Sequence, residues 1–326
     1  MKSLVLHVGA NKTGSSAIQE FLRLNADALT CAGVHVAAAD LSPKGKISGQ
    51  HIWLIEEALT DPGKGALDIS AKIDRIMATL DDSARLLISA ENLSNGKGAE
   101  ALFADAAARY DTRVILYIRR QDELLLSSWQ QWESKIDGDF WAWLIDCVGQ
   151  RGDWSTVLQA WERIVPRENI TVRIFDRESL PESDVIADFA QVLDLGECFA
   201  DFARPEAPVN PSFTEAVVDF AKGNPLLFRD KHDNAFYDAV SQLTGERYRR
   251  KARESVVTHA QRLAILRRYA DSNEWVRQAY FPKCEAPLFT PPEPEDYEVL
   301  AGDALERQKW ELLASLVFGL ARRVMR

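Results

Sequence analysis

Leu4-Val5-Leu6-His7-Val8-Gly9-Ala10-Asn11-Lys12-Thr13-Gly14-Ser15-Ser16-Ala17-Ile18-Gln19 decides how the rest of this 326-residue chain is read. A short apolar run gives way to a loop with two glycines, a lysine and three hydroxyl residues, and a helical pattern begins near Ser15. The reading is strand, anion-binding loop, helix. Gly9 and Gly14 permit backbone angles and close approaches that a side chain would block, so successive amides can converge on one anion. The first amides of the helix add a favourable dipole, and Lys12 adds a formal positive charge. In the common nucleotide-triphosphatase loop the lysine follows the last glycine; here Lys12 precedes Gly14, so that pattern is not met and magnesium is not implied. A structural glycine turn at a sheet edge is the plainer alternative.

Composition narrows the function classes. A formal net charge of -10 disfavours broad nucleic-acid binding. Cys31, Cys147, Cys198 and Cys284 are too widely spaced for a metal knuckle or a small disulfide scaffold, which points to a reducing compartment. His7, His35, His51, His232 and His259 show no ligand spacing, so no metal is expected. The apolar run at the amino terminus is too short for a secretory signal, and no later run has the length of a membrane span. A soluble cytoplasmic protein without a transmembrane segment is expected.

Further along, Val34-His35-Val36, Ala84 to Ser89, Thr112 to Ile118 and Ile170 to Phe175 read as strands. Helical spacing predicts packing segments after Ser15, from His51, from Ile69 to Leu80, from Leu102 to Tyr110 and from Val185 to Leu193, with Pro62 to Gly65 as a break. The third strand delivers Glu91, Asn92 and Ser94 to its carboxyl end, the edge at which parallel α/β sheets bind ligands. The fourth ends in Arg119-Arg120, and arginine supplies a multi-donor fork suited to phosphate. Lys44 and Lys46, in a Pro- and Gly-containing loop, read as solvated charge.

Gly9 to Ser16 resembles the loop that binds the 5′-phosphosulfate end of 3′-phosphoadenylyl sulfate (PAPS) in sulfotransferases. The stretch Arg119 to Trp129 resembles that family's 3′-phosphate element, in which a strand-end arginine is followed eight positions later by a serine on the next helix. Arg119 and Ser127 match it, Trp129 stands where the family often has an aromatic residue, and Arg120 is held as an auxiliary. Tyr280-Phe281-Pro282 and the residues before it look like bacterial sulfotransferase-like proteins, which extends the resemblance over most of the chain.

The resemblance implies an α/β, P-loop-containing three-layer fold with a central, mostly parallel sheet and a helical carboxy-terminal region. Residues 1–200 would form the core and 201–326 a mainly helical extension packed on it. Gly9, Asn11, Lys12, Thr13, Gly14, Ser15 and Ser16 would hold the donor, with Lys12 at the bridging oxygen, and Arg119 and Ser127 would hold its 3′-phosphate. Glu91 is the first choice of base, because resembling enzymes that act on polysaccharides use a glutamate there; His51, and after it His7, are reserves. The acceptor would be a hydroxyl, less readily an amine, of a carbohydrate, glycolipid or small molecule. An ATP-dependent small-molecule kinase and a noncatalytic nucleotide-binding interaction protein are the alternatives.

Phe140, Trp141, Trp143, Trp154 and Trp161 read mostly as core rather than acceptor pocket. Asn210 and Pro211 open a helical tail in which Arg247, Arg249, Arg250, Lys251 and Arg253 form the densest basic run. The wider family folds a basic segment over the 3′-phosphate, but no glycine follows Lys251 as in the animal cytosolic enzymes, and a solvated helix face is preferred. The apolar helix from Leu305 to Met325 is expected to pack on its own domain, ahead of a homodimer contact or a peripheral membrane contact.

Overall fold

The computed structural model describes residues 2–94, 98–136, 138–176, 178–205, 212–250 and 254–325. Asn210, Pro211, Lys251 and Arg253 lie outside the described residues. The chain divides into two compact units, each discontinuous in sequence: Met1–Arg119, Asp153–Val209 and Trp275–Lys283 form the first, and Arg120–Gly152, Asn210–Glu274 and Cys284–Arg326 the second. Residues 120–152 thus group with carboxy-terminal segments.

The first unit is α/β. Its sheet comprises β1 (Ser3–Val8), β2 (Val34–Val36), β3 (Arg85–Ala90), β4 (Asp111–Ile118) and β5 (Ile170–Ile174), in the order β2-β3-β1-β4-β5. Every pairing is parallel, and His7 lies between Ser89 and Ile115. Val5, Leu87, Ile115 and Tyr117 point into a core shared with Ile18, Phe21 and Leu22 of the helix Ser15–Leu24 and Phe189 of the helix Val185–Val192. The alternating residues Leu4, Leu6, Leu86, Ile88, Val114 and Leu116 are also fully buried. Burial on both faces explains why these strands read as continuous apolar runs instead of alternating ones.

Local boundaries follow from side chains. Pro62 does break the preceding helix, Ile52–Thr60, but it also starts the next, Pro62–Met77. Proline costs no helical hydrogen bond in a first turn, and Asp61 caps that turn by accepting from the Lys64 amide. From β1 the chain moves to β2 at one edge, and from β4 to β5 at the other. The connections leave neighbouring strands in opposite directions, which opens a crevice at their carboxyl ends.

The second unit is mainly helical. Leu125, Leu126, Trp129, Phe140, Trp143, Val218 and Ile265 form one apolar cluster, and Val217, Phe228, Tyr237, Val240 and Leu312 another. Its polar centre is the fully buried Arg262, which pairs with Asp122 at 2.6 Å and Glu123 at 2.8 Å and lies 3.6 Å from the centroid of the Tyr297 ring. Most of the aromatic residues singled out from sequence are core in their own units: Phe140, Trp143, Trp154 and Trp161 are buried, while Trp141 is partly exposed.

Candidate functional site

The loop after β1 is shaped by two glycines and one strained lysine. Gly14 precedes the helix Ser15–Leu24 with φ +83°, and a Cβ there would lie 2.7 Å from the Phe175 ring. Lys12 itself adopts φ 63°, uncommon for a residue with a side chain. Gly9 passes close over the end of β3; a Cβ would meet the Glu91 Cα at 3.1 Å and the Ala90 carbonyl oxygen at 3.2 Å. The Gly9 amide donates to that carbonyl at 3.0 Å, and the Ser94 hydroxyl donates to the Gly9 carbonyl at 2.8 Å. The loop and the Glu91–Ser94 turn are therefore stitched together from both sides.

This stitching brings Glu91 to the loop. Its Oε1 accepts a long hydrogen bond from Ser16 Oγ at 3.5 Å. Burial pushes the Glu91 carboxyl above the usual carboxylate range, and the Ser16 hydrogen bond and the Lys12 charge pull it only partly back. The helix Ser15–Leu24 begins at this corner, so the positive end of its dipole also falls here. A cation, a hydroxyl, helix-end amides and a carboxyl of raised pKa share one place. Such a set can bind an anion and take up a proton.

Two of the expected donors are committed elsewhere. Thr13 Oγ1 donates to the Ala10 carbonyl at 2.7 Å and Ser15 Oγ donates to the same oxygen at 2.9 Å, and both residues are buried. They set the loop's curvature, and their protons are spent on it. Asn11 lies in the turn and is half-buried.

Arg119, one residue past β4, reaches this loop. Its Nη1 donates to the Lys12 carbonyl at 3.0 Å, and its guanidinium lies 5.7 Å from the Phe175 centroid. Trp154 Nε1 donates to the Arg119 carbonyl at 3.0 Å and pins the backbone there. Ser127 lies in the second unit, buried on the helix Gln121–Gln131. Arg120 is also in the second unit and is paired with Asp122 at 2.7 Å and with the Tyr297 hydroxyl at 2.8 Å. That pairing makes it part of the buried ion cluster rather than an auxiliary phosphate ligand.

The reserve bases have structural partners. His51 is 1% exposed, with Nδ1 at 3.0 Å from the Ser89 carbonyl oxygen and 3.2 Å from the Ser89 amide, and Nε2 at 3.2 Å from the Ala37 carbonyl oxygen. Burial lowers the pKa of the ring, and the hydrogen bonds to the backbone of Ser89 and Ala37 offset part of that. His7 is wholly buried beside Phe189 and Tyr117, its Nδ1 bonded to Ser89 Oγ at 2.8 Å, and burial pushes its pKa down to about 3. Both rings are bonded to Ser89 of β3.

The sequence placed Ser94 in a turn, Phe175 in a strand and Trp154 in the core, but their support of the loop was missed. Phe175 and Val185 press on Gly14, Ser94 holds Gly9, and Trp154 holds Arg119. The only signal was position: Phe175 follows the last strand and Ser94 lies in the turn after β3. Among the described residues no group of three His, Cys, Asp or Glu side chains is arranged to hold a metal ion, and no helix is long and apolar enough to cross a membrane.

No protein-family model matches the chain. Residues of an uncharacterized protein from Archaeoglobus fulgidus are 27% identical over 172 positions, which is 52% of this chain and 46% of that protein, so the match spans under half of the relative's length. Among solved structures, a sulfotransferase from Alicyclobacillus acidocaldarius is similar at 14% identity with a TM-score of 0.37, over 72% of this chain and 98% of that one.

Proposed function

We propose that this chain is a sulfotransferase that moves a sulfuryl group from PAPS to a hydroxyl, or less readily an amine, of a carbohydrate, glycolipid or small-molecule acceptor. The observation that carries the reading is the cluster at the carboxyl edge of β1 and β3, where Lys12, Ser16 and the raised carboxyl of Glu91 meet beside an amide-rich turn. The resemblance of Gly9 to Ser16 to the PAPS loop supplies the donor class.

In this reading the loop amides and Lys12 hold the 5′-phosphate, and Lys12 stabilises the charge that develops on the oxygen bridging phosphorus and sulfur. The hydroxyls of Thr13 and Ser15 keep the loop in shape. Arg119, already against the Lys12 carbonyl, favours a donor with a 3′-phosphate. Ser127 was expected to share that task; the proposal rests on the first unit alone. As the acceptor oxygen bonds to sulfur, Glu91 takes its proton, the bond from sulfur to the bridging oxygen breaks, and the electron pair leaves on adenosine 3′,5′-bisphosphate. A carboxyl held above its ordinary pKa is the better base for this step.

Calorimetric titration with adenosine 3′,5′-bisphosphate, ADP and AMP tests the donor class. Binding that requires the 3′-phosphate and weakens in Arg119→Ala is expected. Equal or tighter binding of ADP would sink the reading and favour a kinase. Bisphosphate binding that survives Glu91→Gln without turnover of any acceptor in the wild type would favour a noncatalytic binding protein.

A further inference from the structure

The helices Phe140–Cys147 and Glu215–Lys222 belong to the second unit, and the transfer chemistry proposed above uses neither. Residues of both line a cavity of about 140 Å³ that is partly open to solvent. A space of about 150 Å³ takes up one benzene molecule, so this one suits a ligand of that order. Three of its lining residues are aromatic: Trp129, Phe140 and Trp141. Trp129 meets Phe140 edge to face at 70°, with ring centroids 5.5 Å apart, and Phe140 meets Trp141 at 70° and 4.9 Å. Rings so angled do not stack on one another.

The charges at the cavity lean one way. Asp139, Glu215 and Asp219 line it against a single base, Lys222, so an anion is repelled. Glu215 is 1% exposed, and its two oxygens accept from Gln130 Nε2 at 2.9 and 2.8 Å. Among the described residues no basic side chain forms an ion pair with it. Burial pushes the Glu215 carboxyl up to about 7, against the charges of Arg250 and Arg262 and the Gln130 hydrogen bond, while Glu254 adds to the rise. A cation beside such a carboxyl favours its ionised form.

The acceptors are already engaged. Asp139 Oδ1 accepts from the amides of Trp141 and Ala142 at 2.7 and 2.9 Å, and Asp219 pairs with Lys309 at 2.9 Å. A primary ammonium would find few acceptors here for its N–H groups. A quaternary ammonium has none to satisfy, and it is attracted by aromatic rings and carboxylates together. Trp129 is almost wholly buried, and its indole N–H has no acceptor among the described residues, which suits a ligand that also carries an oxygen.

We propose that this cavity binds a small quaternary ammonium ion, held by Trp129, Phe140 and Trp141 with its charge toward Glu215. The inference is independent of the proposed transfer chemistry.

Calorimetric titration of the full chain with choline tests it, alongside ethanolamine and dimethylbutanol, the uncharged carbon analogue of choline. Far-UV circular dichroism checks the fold of each variant. Choline is expected to bind about tenfold or more tighter than either. Trp141→Ala, at a partly exposed position, is expected to weaken choline binding about tenfold, and Glu215→Gln by a similar factor without changing the binding of dimethylbutanol. Choline affinity should rise between about pH 6 and pH 8 as Glu215 ionises, and Glu215→Gln should remove that dependence. Trp141→Ala carries the test if Glu215→Gln misfolds. No binding of choline, equal binding of ethanolamine or dimethylbutanol, or choline binding indifferent to the substitutions would overturn the proposal.

Discussion

Two neighbouring strands end in turns that look alike in sequence, each polar and each followed by a helix, yet they do opposite things with their charges. After β1, Gly9 to Ser16 gathers Lys12, Ser16 and, across the sheet edge, Glu91 at one corner. After β4 the two arginines part: Arg119 goes to the Lys12 carbonyl, and Arg120 closes on Asp122, which also holds the buried Arg262. The first turn brings a lysine and an acid together at a strand end, and the second ties one of its two arginines into a buried ion cluster. Arg120 is drawn in by Asp122, two residues after it, and a charge held by an internal partner is no longer offered to a ligand.

The sharpest way to break this comparison is Asp122→Ala. It would leave Arg262 and Arg120 short of a carboxylate in a buried setting, and a loss of about 3–5 kcal/mol in urea unfolding is expected. A loss within the range of surface substitutions would show that the second turn is not structural. Gly14→Ala comes next, at about 1–3 kcal/mol, since it adds backbone strain at φ +83° and a contact with Phe175. Phe175→Ala relieves the contact but not the strain, so the cost of Gly14→Ala should shrink in that background without vanishing.

Arg119→Ala separates the two roles of one residue. Its hydrogen bond to the Lys12 carbonyl is worth about 1 kcal/mol of stability, whereas affinity for adenosine 3′,5′-bisphosphate is expected to fall by about tenfold or more. Equal affinity in calorimetry would leave Arg119 a loop support only.

The smallest effect concerns Glu91. Burial raises its folded pKa, so its contribution to stability is present at low pH and is lost as pH rises through that raised value. Ser16→Ala removes a hydrogen bond that favours the ionised form. The Glu91 titration, followed by carbon NMR of the side chain, should therefore move further upward, and the pH at which stability declines should move with it. A downward shift would mean that Ser16 does not face the carboxylate in solution.

Much of the first unit was legible in the chain. Leu4 to Val8, Val34 to Val36 and Thr112 to Ile118 are strands because their apolar runs are buried on both faces, and Gly14 is needed where the loop turns left-handed into a helix. The committed hydroxyls of Thr13 and Ser15, the locked ring of His51 and the pairing of Arg120 were not legible, because each depends on a partner distant in sequence or on a short hydrogen bond that several conformations could make. The helix Gly302–Val324 was half legible: an apolar helix was visible, but which of its faces the rest of the unit covers was not.

The sequence by itself determined that a strand, a glycine-bearing loop and a helix open this protein, that a parallel sheet follows, and that Lys12, Glu91 and Arg119 stand at strand ends. Only the tertiary structure decided that these three converge. Strand order put β1 between β3 and β4, and the approach of Gly9 to Ala90 and of Arg119 to Lys12 closed the remaining distance. The reason is physical: periodicity and turn chemistry act over a few residues, whereas the pKa of a buried carboxyl and the partner of a guanidinium are set by whatever the fold brings within a few ångströms.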